Sequence, residues 1–185
     1  PFVIGNEAEP RVLFWEIAEE FDTITASHDG YKRLTQPITH TRAVRFNKRE
    51  RLWIVEDTLS GNGEHTFRFR FHFAEKLDTA VLADGIVRAY DKMTGTRLFV
   101  APLGLEAQPE LELQYVSRDY GQRSESVSAC WTVRATAPLI VGWAIIPICG
   151  DQDEGELQGM VERLREHRKI VLKIRASTGN LKSQI

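Results

Sequence analysis

Two short stretches hold the residue types that could do chemistry. In Ser27-His28-Asp29-Gly30-Tyr31 a titratable base, a carboxylate and a phenol lie within a few residues, and Gly30 permits a sharp bend between them. A Tyr or His so placed can abstract a proton alpha to a carboxylate, provided cationic or amide groups neutralise that carboxylate. The competing reading is a turn whose Asp29 caps backbone amides while the Tyr31 ring packs inward. The second stretch is FRFRFHF at residues 67–73. Its period-two alternation puts Phe67, Phe69, Phe71 and Phe73 on one side of a pleated strand and Arg68, Arg70 and His72 on the other. The rings must be buried, at roughly 1.5–3 kcal/mol each. The cations either face solvent, paired with Glu56 or Asp57 of the preceding strand, or form a subsite for sulfate or carboxylate, which the planar guanidinium fork suits. His28, Asp29, Tyr31, Arg68, Arg70 and His72 are therefore the candidate substrate-contacting residues.

Other chemistries find less support. None of the five histidines forms an H-x-H or H-E-x-x-H pair that would fix two metal ligands on one element, so a zinc site would have to bring His40, Asp57 and His72 together from adjacent strands, a weak signal. No serine or cysteine sits in a G-x-S-x-G elbow, and Gly61-Asn62-Gly63 opens no helix that could cradle phosphate. Neither a cofactor nor a metal is expected. Cys130 and Cys149 are too few for a disulfide framework and stand either as two buried free thiols or as a single bridge. With 24 Lys plus Arg against 26 Asp plus Glu, the net charge is -2, so no global field draws the chain to nucleic acid or anionic lipid. No apolar run reaches the roughly 20 residues needed to span a bilayer. Nucleic-acid and membrane partners are not expected.

Such side chains need a frame, and the chain supplies short strands. Apolar or alternating runs recur at residues 12–18, 23–27, 41–46, 52–58, 66–73, 79–83, 86–90, 97–101, 110–117, 127–135 and 139–146, separated by turn formers. About eleven strands without intervening helices predict an antiparallel β-sandwich, an all-β fold in the main. Ser60-Gly61-Asn62-Gly63 predicts a tight hairpin joining the runs on either side. Leu52, Trp53, Ile54 and Val55 place apolar groups on both faces of one strand, as expected of a central strand covered on both sides. Near the end Leu157, Met160, Val161 and Leu164 form the stripe of one amphipathic helix, with acidic residues before it and basic residues after it. The expected organisation is a sandwich domain over 1–150, then the helix and a short final strand over 151–175 packed on it, then a flexible tail over 176–185.

The order of several motifs carries a resemblance. SHDGY at 27–31, then Pro37, His40 and Arg42, then IVEDTLSGNGEH at 54–65 and RFHF at 70–73 together resemble the C-terminal β domain of heparinase II/III-like polysaccharide lyases. SRDYGQR at 117–123 and the apolar run ending in Pro147 fit the same pattern more loosely, so the likeness spans residues 10–148. The resemblance implies an α/α toroid ahead of the β layers and cleavage of an acidic polysaccharide by β-elimination at a uronic acid. In that family the proton-transfer groups belong mainly to the toroid, and the metal-ligand motifs precede the segment matched here. No catalytic residue and no metal ligand is carried over. The chain starts at Pro1 with neither an initiator Met nor a basic-then-apolar leader, which is expected of a processed product or a piece of something longer.

Three readings follow. The first is an accessory β-sandwich of a polysaccharide lyase, inactive alone, whose partners are the toroid of the same longer chain and an acidic polysaccharide. The second is an independent carbohydrate-binding or protein-interaction module. The third is a complete small enzyme using His28 and Tyr31, which lacks any evident means of excluding water or neutralising a carboxylate. The resemblance implies a periplasmic or secreted location.

Overall fold

A computed structural model describes residues 8–149 and 154–181. Its strands, in chain order, are β1 (Arg11–Ile17), β2 (Phe21–Tyr31), β3 (Ile38–Asn47), β4 (Leu52–Gly61), β5 (Glu64–His72), β6 (Asp78–Val81), β7 (Val87–Tyr90), β8 (Arg97–Leu103), β9 (Pro109–Val116), β10 (Ser124–Thr136) and β11 (Leu139–Ile148), followed by the helix α1 (Glu154–Leu181). An eight-stranded sheet runs β1-β2-β3-β4-β11-β8-β7-β6, and a three-stranded sheet runs β5-β10-β9. All neighbours are antiparallel. The fold is the mainly β sandwich with one C-terminal helix that the alternation predicts.

The phenylalanine side of β5 faces the large sheet. Phe69 and Phe71 meet Trp143 of β11 at ring centroid distances of 5.4 and 5.1 Å, and Trp143 meets Trp131 of β10 at 5.0 Å. These rings fill the space between the layers with Val55, Val87, Val100 and Val141. Period two then obliges Arg68, Arg70 and His72 to point outward, as they do. On the other side of the large sheet, Leu157 and Val161 of α1 pack against Leu52, Phe99, Ala101 and Ile146. The strand β4 is thus covered on both faces, Leu52 beneath the helix and Val55 beneath the small sheet, as its two-sided apolar composition requires.

The helix is held by cations as well as by its apolar stripe. Arg165 donates to the Asp84 carboxylate at 3.1 Å and to the Pro102 carbonyl at 3.2 Å, and Arg168 donates to the Ile140 carbonyl at 3.0 Å. It continues through residues 170–175, where a final strand is expected from sequence, and on into the segment expected as tail. Residues 182–185 of that segment lie outside the described residues. Cys130 is buried and Cys149 exposed, both free, so there is no bridge and only one thiol is buried.

The predicted hairpin is not one. β4 pairs with β3 and β11, whereas β5 pairs only with β10, so the two strands lie in opposite sheets. Asn62 and Gly63 form an arch between layers, and the connection from β10 to β11 through the cis Ala137–Pro138 peptide forms a second. The two arches stack, with the Ala137 amide donating to the Gly63 carbonyl at 2.9 Å. Turn residues permit the reversal, but the ring face of β5 decides its partner. Four phenyl groups gain more by facing the core of the opposite layer than β5 gains by bonding to β4.

The layers differ in width, and this difference creates the site. No residue of β1 or β2 belongs to either core cluster. Those strands extend the large sheet past the edge of β5 and leave an open shelf.

Two substitutions test this packing by urea denaturation. Phe69→Ala should cost about 3–5 kcal/mol, whereas the outward Arg70→Ala should leave the urea midpoint nearly unchanged. Gly61→Ala should cost about 1–3 kcal/mol, because a methyl group there overlaps the Pro37 carbonyl and the Ile38 side chain.

Candidate functional site

The shelf and the edge of β5 enclose a cavity of about 390 Å³. Its floor is Ile38, His40 and Arg42 of β3 with Leu59 of β4, and its wall runs along β5 from His65 to Arg70. Tyr31 closes one end. The register explains the floor. Pairing of Arg42 with Asp57 and of His40 with Leu59 puts all four side chains on the face toward the small sheet.

Asp57 is the electrostatic centre of this face, with 0 % of its surface exposed. Its Oδ1 accepts from His40 Nε2 at 2.6 Å and from Arg42 Nε at 2.7 Å. Its Oδ2 accepts from Arg42 Nη2 at 2.9 Å and from the indole Nε1–H of Trp143 at 3.1 Å. Burial alone would raise the carboxyl pKa, but the hydrogen bonds from His40 and Arg42 and the guanidinium charge outweigh it and hold it at about 2. The same bonds push the Arg42 pKa up, against the opposing effect of burial. Asp57 is therefore an ionised interior carboxylate throughout the neutral range.

From Asp57 a chain of hydrogen bonds runs outward. His40 Nδ1 lies 3.0 Å from His28 Nε2, and the Gly30 amide donates to His28 Nδ1 at 3.2 Å. An amide can only donate and an ionised carboxylate can only accept, so both ends of the chain fix its direction. His28 and His40 are each neutral with the proton on Nε2. The rings meet edge to face at a centroid distance of 5.0 Å, and the Tyr31 ring lies 5.2 Å from that of His28.

The candidate residues separate into those the cavity gathers and those it does not. SHDGY lies within β2 and not in a turn, and a register irregularity between His28 and Tyr31 takes up the bend. Tyr31 lines the cavity, and His28 stands behind it in the hydrogen-bonded chain. Asp29 turns away to Arg11 at 2.7 Å and Lys32 at 2.9 Å, and these bonds, Lys32 first, hold its carboxyl below the usual range. Arg68 and Arg70 form the rim, but their ion-pair partner is Glu112 of β9, at 2.5 and 3.0 Å, and neither Glu56 nor Asp57. His72 is exposed at the end of β5, outside the cavity. Sequence reasoning missed Arg42 as a site residue and joined His40 and Asp57 only in a weakly supported metal set with His72, which lies outside the cavity, whereas the two bond to each other directly. The signal was there: His40 and Arg42 share one face at period two, and Asp57 is a carboxylate in a strand covered on both sides, which requires a cationic partner.

The sequence profile described as "Heparinase II/III-like, C-terminal" matches residues 1–170. The chain belongs to that family. The heparinase II/III-like fold is shared with a solved heparan sulfate lyase, HepC from Pedobacter heparinus, at a TM-score of 0.68 and 17% identity, over 78% of this chain and 22% of that one. It is shared also with a heparinase III, the BT4657 gene product, at a TM-score of 0.65 and 17% identity, again over 78% and 22% of the two chains. A structure titled heparinase III gives 0.64 and 15%, over 77% and 22%. This heparinase II/III-like chain thus spans about a fifth of the length of each. No curated protein matches the sequence.

Removing the charge at the centre should be costly. Asp57→Asn takes the buried counterion from a half-exposed Arg42 and leaves donors facing one another, and should destabilise the fold by about 1–3 kcal/mol at pH 7 in urea titrations. In the wild type the carboxyl pKa is lowered from 3.8 to about 2, so its contribution is present above pH 3.8 and is lost as pH falls through 2. That loss should amount to about 2 kcal/mol, read as the narrowing of the gap between wild type and Asp57→Asn across the window.

Proposed function

We propose that this chain is the C-terminal β portion of a longer polysaccharide lyase, and that its cavity holds one acidic sugar unit of a uronic-acid-containing polymer while the eliminative chemistry is supplied by other parts of that protein. Membership of the heparinase II/III-like family and the shared fold with lyases of far greater length support the reading. The cavity itself carries it. Arg68 and Arg70 share the single carboxylate of Glu112, which leaves a surplus of positive charge at the rim. Arg42 spends Nε and Nη2 on Asp57 and still lines the floor. Phe67 and Tyr31 add aromatic surface, against which a pyranose ring can lie.

Two features speak against independent catalysis. His28 and His40 have every ring nitrogen engaged, which leaves neither free to take a substrate proton. The cavity is also open to solvent, so bulk water screens any charge that develops there. Apolar surface awaits a covering partner: Val12, Trp15 and Ile17 of β1 are 62, 65 and 72 % exposed, and Leu113 of β9 is 59 % exposed. We assign these strands to contact with the toroid of the longer chain.

A uronate polymer assay at 232 nm tests the division of labour. The chain alone should yield no unsaturated product from heparan sulfate or alginate. It should nevertheless bind a heparan sulfate hexasaccharide in calorimetry, with affinity falling as salt rises. Arg68→Gln with Arg70→Gln should weaken that binding about tenfold. Unsaturated product from the isolated chain, or binding that ignores both arginines, overturns the proposal.

A further inference from the structure

The hydrogen-bonded chain from Asp57 ends not at the cavity but at the backbone of Gly30, one residue from Tyr31. We infer that His28, His40 and Asp57 are positioning residues that hold the Gly30 irregularity, and with it Tyr31, against the cavity only while both imidazoles are neutral, so that acid releases the sugar-binding wall. This inference rests on the reading of the cavity as an acidic-sugar site and adds the regulation of that site.

Every lone pair along the chain is occupied: Gly30 N–H fills His28 Nδ1, His28 Nε2–H fills His40 Nδ1, and His40 Nε2–H fills one Oδ1 position of Asp57. A proton added at His28 Nδ1 sets two N–H groups against each other and expels the Gly30 amide. A proton added at His40 Nδ1 either has the same result, once His28 moves its own proton from Nε2 to Nδ1, or parts the two rings. Wherever the proton enters, the chain that ties the backbone beside Tyr31 to Asp57 is broken. Little room exists for compensation, since a methyl group on Gly30 would stand only 3.2 Å from His28 Nδ1.

The surroundings favour the neutral state. Burial first, then His40 and Arg42, lower the His28 pKa against the opposing pull of Asp29. Across the cavity β5 brings the cations Arg68 and Arg70, with His65 beside them, and none of these welcomes another positive charge. The carboxylates offer little relief. Asp57 is shared with Arg42, and Asp29 is engaged by Lys32 and by Arg11 of β1. Trp143 of β11 supplies only a neutral donor. The consequence runs against the usual behaviour of histidine in an anion site, where acid adds positive charge and strengthens binding.

Nitrogen-detected NMR of the intact chain reads the proposal without any ligand. At pH 8 both rings should show the Nε2–H tautomer. Between pH 8 and 5 the Gly30 amide and the Tyr31 ring signals should move with the same midpoint as the His28 ring. In His28→Gln those two signals should no longer follow pH over that range. The heparan sulfate hexasaccharide should bind the wild type at least fivefold more weakly at pH 5.5 than at pH 7.5. An Nδ1–H tautomer on His28, or Gly30 and Tyr31 signals that stay still while the His28 ring titrates, overturns the inference, as does tighter binding in acid. Co-titration of Gly30 and Tyr31 without hexasaccharide binding at any pH supports the positioning role and overturns the sugar reading.

Discussion

An ionised carboxylate sealed inside a β-sandwich constrains everything around it. Asp57 cannot be desolvated without partners, and the ones it has come from the two strands that flank β4: His40 and Arg42 from β3, Trp143 from β11. The centre of the large sheet is thereby tied from both sides at one point. The constraint also sets register. Arg42 stands directly opposite Asp57 in the pairing of β3 with β4, and a slip of one residue would send both His40 and Arg42 to the helix side. Apolar packing tolerates small slides better than this fork-shaped contact does, so the ion pair supplies a specificity that the valines around it do not.

Unequal layers then turn a structural contact into a surface with possible use. Three strands cannot cover eight, and the uncovered part falls where β3 presents the polar side chains that Asp57 orients. The arginines of β5 reach the same space from the edge of the small sheet because period two sends them outward while their phenylalanine neighbours go inward. One strand therefore serves both the core and the rim. The family match covers most of this chain, while the chain spans about 22% of the solved relatives. A cavity on an open shelf, beside apolar strands that no core cluster includes, suits a body built to meet another.

Strand positions were legible because period two and turn formers are local signals, and each of the eleven runs corresponds to a strand. What local signals omit is which layer a strand joins. Ser60-Gly61-Asn62-Gly63 reads as a hairpin because its residues permit the reversal, yet the chain rotates there and crosses to the other sheet. The stretch at 27–31 reads as a turn for a similar reason, since a glycine inside a long strand accommodates an irregularity as readily as it makes a reversal. Of the candidate site, Tyr31, Arg68 and Arg70 were found from residue type. Asp57 was passed over as the centre of the site because Glu56 beside it makes the pair look like ordinary surface charge, and only the alternation along 52–59 reveals that the two point to opposite faces.

The stacked arches impose an order of events on the polypeptide as it is made. The β5 strand, complete by residue 72, finds its backbone partner in a strand that begins at residue 124, and the open edge of β4, complete by residue 61, waits longer still for β11, which begins at residue 139. Contacts so distant along the chain are entropically slow to close. Throughout that interval Phe69 lacks the Trp143 ring and Phe71 lacks both Trp143 and Trp131, and a nascent or truncated product exposes a strand well suited to pairing with its own copies. Productive assembly thus depends on how quickly the second arch follows the first.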